Sequence, residues 1–151
     1  MKSSYVVFLC GSMFAFTTMS AQADELPMRK AGLWEAKVKL STPGGPEIPE
    51  VSGRYCVSEE AEKKMQEQEK QDGRCSKREI KKVATGYMLD AVCTEEGGGT
   101  ATFHGEYVGD FNSAYTLKQV SRAQGGSMGD MEVHATEEHK WLSATCPEDA
   151  K

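Results

Sequence analysis

Residues 100–108 read TATFHGEYV, and this stretch decides the fold class. Small or apolar residues, among them Phe103 and Tyr107, alternate with polar residues along it. Because successive side chains of a strand point to opposite faces, this alternation is typical of a strand with one buried and one solvated face. The stretch therefore predicts a half-buried β-strand.

The same alternation recurs on both sides of this stretch. The predicted strands are residues 31–40, 51–57, 76–83, 87–94, 100–108, 111–121 and a last strand that begins at 131. Glycine-containing turns, one of them at residues 109–110, join most of these strands. Short, evenly spaced strands predict a mainly β fold, an antiparallel meander curled into a half-barrel or a barrel-like sheet.

One segment, residues 59–71, has the pattern of a short helix. Ser58 is suited to be its N-cap, and acidic residues fill the first turn, where they complement the helix dipole. Its only apolar positions are Ala61 and Met65, four residues apart. We expect this narrow apolar stripe to cover an edge of the sheet.

The alternation places several large apolar side chains on the inward faces of the strands. One interpretation is core packing, and the other is a pocket for an apolar ligand in a sheet that curls without closing. The residues of this set are Trp34, Tyr87, Leu89, Phe103, Tyr107, Tyr115 and Trp141.

The N-terminus has the features of a secretory signal peptide. Lys2 precedes an apolar run over residues 5–19, and Ala21 and Ala23 form an A-x-A cleavage pattern. We therefore expect residues 1–23 to be removed, leaving residues 24–151 as a single β-rich domain in the periplasm of a Gram-negative-type cell or outside the cell. No later segment is long and apolar enough to predict a membrane-spanning helix.

Four cysteines follow the predicted cleavage site: Cys56, Cys75, Cys93 and Cys146. An even number of cysteines in an exported chain favours two disulfides. Spacing leaves three pairings open. We prefer Cys56 with Cys75, which would clip the helical excursion, and Cys93 with Cys146, which would tie the last segment to the sheet.

The charge balance argues against nucleic acid as a partner. The formal net charge is −5 at pH 7, whereas a phosphate-binding surface needs clustered cations. Lys77, Arg78, Lys81 and Lys82 are interleaved with Glu79, which indicates a solvated strand face.

Residues 125–129 read GGSMG and match the G-x-S-x-G nucleophile elbow of α/β-hydrolases. That elbow connects a strand to a helix, whereas the residues after 129 alternate like a strand. We therefore interpret the segment as a glycine-rich hairpin loop.

The histidines and paired acids do not predict a catalytic or metal site. His134 and His139 are an odd number of residues apart and should face opposite sides of a strand, whereas His104 and His134 could meet across strands. Solvated histidines are the preferred interpretation over a copper or zinc site. Glu137 and Glu138 are adjacent, so we interpret them as loop or edge charge. We expect no metal and no cofactor.

Gly32-Leu33-Trp34-Glu35, a GLWE motif, follows the predicted signal peptide. Together with the four cysteines and the Cys-x-x-Glu-Glu sequence that begins at Cys56, it resembles the family of small exported bacterial proteins called domain of unknown function 3617. The resemblance covers nearly all of residues 24–151. It implies an exported fold with no assigned activity.

Two functional hypotheses follow. The first is a non-enzymatic binding module in which the curved sheet holds a small apolar or lipid-like molecule. The second is a structural or interaction protein of the cell envelope that acts through a protein partner. The partner is accordingly an apolar small molecule in the first case and an envelope protein in the second.

Overall fold

The computed structural model describes residues 22–23, 25–95, 97–126 and 129–147. Residues 1–21 of the predicted signal peptide, which include Ala21 of the cleavage pattern, therefore lie outside the described residues. Gln22 and Ala23 are described. Within the described part of the chain, no helix is both long and apolar enough to cross a bilayer.

Eight strands and one helix make up the described structure. They are β1 (Gln22–Ala23), β2 (Gly32–Ser41), β3 (Val51–Val57), α1 (Glu59–Gln71), β4 (Cys75–Val83), β5 (Gly86–Glu95), β6 (Gly99–Asp110), β7 (Ala114–Gln124) and β8 (Met131–Ser143). The strands form one antiparallel sheet in the order β1-β4-β5-β6-β7-β8-β2-β3. The prediction of a mainly β, antiparallel fold with one short helix is confirmed.

The sheet combines an antiparallel meander with one pairing, β2 with β8, between strands that are far apart in sequence. Strands β4 to β8 follow one another as hairpins, and β2 lies beside β8 with β3 outside it. Over the described residues the sheet stays open, because β3 and the short β1 stand at its two edges. Helix α1 connects β3 to β4 and therefore links the two sides of the sheet.

The core lies on one face of the sheet, the face that carries Trp34, which we call the inward face. Trp34 is completely buried and packs with Val57, Phe111 and Tyr115. Antiparallel register partners share a face, so pairing of Trp34 with Tyr55 places that tyrosine inward as well.

The backbone conformation explains why the first residue of the GLWE motif is a glycine. Gly32 has φ +130°, a region that side chains rarely adopt, and a Cβ there would collide with the carbonyl oxygen of Ser143. The register between β2 and β8 shifts at the next step, between Leu33 and Trp34. The glycine therefore permits the irregular start of β2 that precedes the buried tryptophan.

Both disulfides differ from the preferred pairing. Cys75 and Cys93 bond to each other because they are register partners in the β4–β5 hairpin. Cys56 bonds to Cys146, with Cα atoms 5.9 Å apart. Strands β3 and β8 both flank β2, so the end of β3 meets the segment after β8. The pairing of Cys56 with Cys75 and Cys93 with Cys146 was wrong because it ignored this strand order.

The turn between β6 and β7 is also displaced from its predicted position. Strand β6 continues through Asp110, and residues 111–113 form the turn. The Asp110 carboxylate accepts hydrogen bonds from the backbone N–H groups of Asn112 and Ser113, at 2.8 and 2.7 Å, which is how aspartate stabilises a turn. Phe111, which we predicted in a strand, is a buried turn residue that folds onto the core.

Helix α1 has its predicted bounds and its predicted N-cap. The Ser58 hydroxyl accepts a hydrogen bond from the Ala61 N–H at 3.2 Å. The expected apolar stripe is wrong, because Ala61 is exposed and Met65 is 41% exposed, whereas Glu62 is the buried helix residue. A helical carboxylate is buried here because a cation from another segment meets it.

Candidate functional site

A cleft of about 230 Å³ lies between helix α1 and the inward face of the sheet. The helix contributes one continuous stripe of side chains at the spacing i, i+3, i+4 and i+7. These residues are Glu62, Met65, Gln66 and Glu69. The helix therefore covers the cleft with a mostly polar surface.

The opposite wall of the cleft is aromatic and aliphatic. Tyr107 comes from β6, Phe111 from the following turn, and Tyr115 and Leu117 from β7. The rings of Phe111 and Tyr115 are stacked with centroids 4.7 Å apart. Tyr107 is tilted against both rings, at 6.0 and 6.4 Å. This wall offers an apolar surface for a small ligand.

Residues 25–30 close one side of the cleft as a strap between the helix and the sheet. The Gln66 side chain donates a hydrogen bond to the Leu26 carbonyl at 3.0 Å, and Lys70 forms an ion pair with Glu25. On the sheet side, the Lys30 N–H donates to the Phe111 carbonyl at 2.8 Å. The strap therefore holds the helix over the aromatic wall.

Arg29 and Glu62 form the strongest link between strap and helix. The Arg29 backbone N–H and its Nε each donate to the Glu62 carboxylate at 3.1 Å, and Nη2 forms an ion pair with it. Burial by itself would lower the pKa of Arg29, but the hydrogen bond and negative charge of Glu62 raise it overall. The hydrogen bonds and the charge of Arg29 offset the cost of burying the Glu62 side chain.

A chain of hydrogen bonds continues from Arg29 across the sheet. Arg29 Nη1 donates to the Tyr55 hydroxyl at 3.4 Å, and that hydroxyl lies 2.8 Å from His139 Nδ1. His139 Nε2 lies 3.1 Å from Glu137 Oε2. A carboxylate oxygen accepts, so His139 Nε2 is the donor in that bond, and the Tyr55 hydroxyl is the partner of Nδ1.

Burial keeps the tyrosines of this region protonated. It raises the pKa of Tyr107 to about 12, and the nearby charges of Glu69 and Glu137 act in the same direction. Burial is also the main cause of the raised pKa values of Tyr55 and Tyr115. At neutral pH their hydroxyl groups are therefore neutral donors and acceptors.

A third ion pair joins the C-terminal half of the helix to strand β4. Arg78 Nη2 lies 2.7 Å from Glu69 Oε2, and both residues line the cleft. Arg78 is exposed, as predicted for a solvated face, but it lies on the side of β4 that faces the helix, where it pairs with Glu69. It shares that side with Ile80, a buried residue two positions along β4.

The predicted inward residues divide into core and cleft. Trp34 is core, Tyr107 lines the cleft, and Tyr115 belongs to the core cluster and lines the cleft as well. Tyr87 and Trp141 pack against that core while staying partly exposed. Leu89 and Phe103 lie on the same face, half-buried, farther along the sheet.

The residues of the site that sequence reasoning missed include Arg29, Glu62, Glu137 and His139. The interpretation of Glu137 as loop or edge charge was wrong, because it lies within β8 and faces the cleft. The sequence does contain a signal for Glu137, which is its position along the strand. It lies two residues from Ala135 and from His139 and four residues from Trp141, so these four side chains share one face. No comparable pattern pointed to Arg29 or Glu62.

The other two histidines lie outside the cleft. His104 and His134 do not meet, because Val120 of β7 stands between them in the register. His104 Nδ1 contacts Asp90 at 2.7 Å, and His134 Nε2 contacts Glu132 at 2.6 Å. Among the residues that the structure describes, no three His, Cys, Asp or Glu side chains are grouped to hold a metal ion.

Comparison with known proteins yields one match. The model of the family DUF3617, described as a protein of unknown function, matches residues 29–146. No curated protein and no solved structure matches the chain. The matched range includes Arg29, helix α1, all four paired cysteines and the cleft wall.

Proposed function

The chain belongs to the DUF3617 family, and we propose that it is an exported, non-enzymatic binding module that holds a small, largely apolar molecule. The observation that carries this proposal is the cleft between helix α1 and the inward face, with its wall of Tyr107, Phe111, Tyr115 and Leu117. The aromatic wall supplies apolar contact surface, and the charged and polar side chains opposite it supply hydrogen-bonding groups, which are the two components of a small-molecule site.

The volume of the cleft limits the ligand. The cavity of about 230 Å³ is smaller than the usual range of ligand pockets, roughly 300–1,000 Å³. A single ring or a short aliphatic body suits this space better than a full acyl chain of a lipid. We therefore narrow the apolar ligand to a compact one.

Export is supported by two features of the chain. The N-terminal sequence has the signal-peptide pattern that ends at Ala23. Two disulfides pair the four cysteines that follow, and such bonds persist in oxidising compartments such as the periplasm. We propose the periplasm as the location.

The alternative of an envelope protein that acts through a partner receives no comparable support. The large apolar residues that are exposed in the described structure lie on five different segments: Met28, Val51, Met65, Val108 and Met131. A partner surface usually requires a contiguous apolar patch.

Native mass spectrometry on protein purified from the periplasm tests the binding module. The wild type should carry a reproducible added mass that denaturation removes. Met65→Trp places a bulky side chain at the cleft, and the matched control Lys64→Trp places the same side chain on an exposed neighbouring position of the helix.

The proposal requires the added mass to be lost or reduced in Met65→Trp and kept in Lys64→Trp. A bare protein in all three preparations contradicts it. Equal retention of the added mass in both variants also contradicts it, because the molecule would then bind outside the cleft.

A further inference from the structure

Glu137 is an unusual residue for the inward face of a sheet. Its neighbours in register are Leu117 on β7 and Val38 on β2, both apolar. Its side chain is 23% exposed and lines the cleft. Strand β8 therefore presents a carboxylate to the cleft from the middle of an apolar row.

The cations that line the cleft are engaged with other carboxylates. Arg29 pairs with Glu62, Arg78 pairs with Glu69, and Lys70 pairs with Glu25. Within the described residues, no lysine or arginine nitrogen lies within 4.0 Å of the Glu137 carboxylate. The cleft lining therefore contains four glutamates and three lysine or arginine side chains, and, in the described part of the chain, Glu137 is the glutamate that pairs with a histidine and with neither a lysine nor an arginine.

The Glu137 carboxylate also keeps unused hydrogen-bonding capacity. A carboxylate has about four lone-pair positions, and the one bond that Glu137 makes to a described residue is from His139 Nε2 to Oε2. A half-buried carboxylate gains stability from a positively charged donor that enters the cleft.

The aromatic wall favours the same kind of ligand. Glu137 and Tyr107 lie close enough for the charge of Glu137 to raise the pKa of the Tyr107 hydroxyl. The partly exposed ring of Tyr107 can attract a cation through its negative face, and it also contacts apolar groups. A ligand with an ammonium group and a short apolar body matches both walls.

We propose that the cleft binds a small organic ammonium ion, whose N–H groups donate to Glu137 while its apolar body lies against Tyr107 and Tyr115. This inference rests on the proposed function and names the ligand class of the same cleft. An anionic ligand is disfavoured, because it would have to break the pair of Arg29 with Glu62 or that of Arg78 with Glu69.

Three probes of one shape test the charge requirement: benzylammonium, benzyl alcohol and benzoate. Each is titrated into the purified protein at neutral pH, with the backbone amide NMR shifts of Leu117 and Glu137 as the readout. We expect benzylammonium to bind about tenfold more tightly than benzyl alcohol and benzoate to bind most weakly, because a charge-assisted hydrogen bond is stronger than a neutral one.

Glu137→Gln tests the carboxylate with little change of shape, and Glu138→Gln is the matched control on the opposite face of the same strand. We expect Glu137→Gln to reduce benzylammonium binding to the level of benzyl alcohol and to leave benzyl alcohol unchanged. Glu138→Gln should change neither. If one variant folds poorly, the comparison of the three probes on the wild-type protein still tests the charge requirement.

The outcomes separate the two proposals. Equal binding of benzylammonium and benzyl alcohol at the cleft overturns the ammonium inference and leaves the binding module intact. Loss of both ligands in Glu137→Gln also overturns it, because the carboxylate would then act on the fold and not on the charge. Absence of binding by all three probes counts against both proposals.

Discussion

The imidazole ring of His139 stacks on the ring of Tyr115, with centroids 4.5 Å apart and planes 13° from parallel. The two residues are register partners on β8 and β7, so the stack follows from the sheet itself. Hydrogen bonds at both imidazole nitrogens hold the ring in place. His139 therefore joins the aromatic wall to the polar chain that ends at Glu62.

Replacement of His139 by phenylalanine should keep the stack and remove both hydrogen bonds. We expect a loss of about 1–3 kcal/mol in the free energy of unfolding, because the Tyr55 hydroxyl and the Glu137 carboxylate lose a buried partner. Chemical denaturation of the wild type and the variant measures this loss in the free energy of unfolding. His134→Phe, at an exposed site of the same strand, is the control and should stay within about 0.5 kcal/mol of wild type. Equal effects of both substitutions contradict the prediction.

The pair of Arg29 and Glu62 should show strong coupling in a double-mutant cycle. Arg29→Met leaves a nearly buried carboxylate without its cation, and we expect it to cost about 3 kcal/mol or more. The double variant with Glu62→Met should cost less than the single variant, because no charge is then left unpaired. Glu59→Met, at an exposed helix position, serves as the control. Additive effects of Arg29→Met and Glu62→Met would show that the two side chains are not coupled.

Thiol counting distinguishes the observed disulfides from the alternatives. A Cys75→Ser and Cys93→Ser double variant should have no reactive thiol after denaturation, because Cys56 stays bonded to Cys146. A Cys56→Ser and Cys75→Ser variant should expose two thiols. By loop entropy, loss of the 18-residue link should cost about 3 kcal/mol and loss of the 90-residue link about 4.5 kcal/mol. Free thiols in the first variant would contradict this connectivity.

Alkaline pH should destabilise the protein through its buried tyrosines. Burial raises the pKa of Tyr107 to about 12, above the value of about 10 for an unfolded tyrosine. The contribution to stability is therefore complete below pH about 10 and is lost as pH rises towards about 12. Tyrosinate absorbance and circular dichroism follow the two processes together. Tyr107→Phe should weaken the loss of stability in this pH window; an unchanged alkaline transition would refute the assignment to Tyr107.

Processing should begin the mature chain at Asp24. Denatured mass spectrometry of protein from the periplasm should therefore give the mass of residues 24–151 with four fewer hydrogens than the reduced chain. Ala23→Leu should impair cleavage, whereas Gln22→Leu, at the tolerant middle position of the A-x-A pattern, should not. An intact N-terminus in the exported wild type would rule out the site. Cleavage there would also remove β1, which pairs with β4 at Lys81 and Ile80.

Local sequence patterns predicted the secondary structure well. Strand β3 and helix α1 have their predicted bounds, because alternation and an N-cap depend on adjacent residues. The turn after β6 was misplaced because Gly109 resembled a turn signal, whereas Asp110 stabilises the turn one step later.

The amino-acid sequence by itself determined most of the strands, the helix and the alternation of faces along the strands, since all of these follow from periodicity within short segments. Only the tertiary structure decided which distant segments meet. Arg29 finds Glu62 at a separation of 33 residues, and Tyr55 finds His139 at a separation of 84. The disulfide partners and the cleft depend on strand order in the same way. Such contacts arise because β2 returns beside β8 and the helix crosses the sheet, and no local pattern records that arrangement.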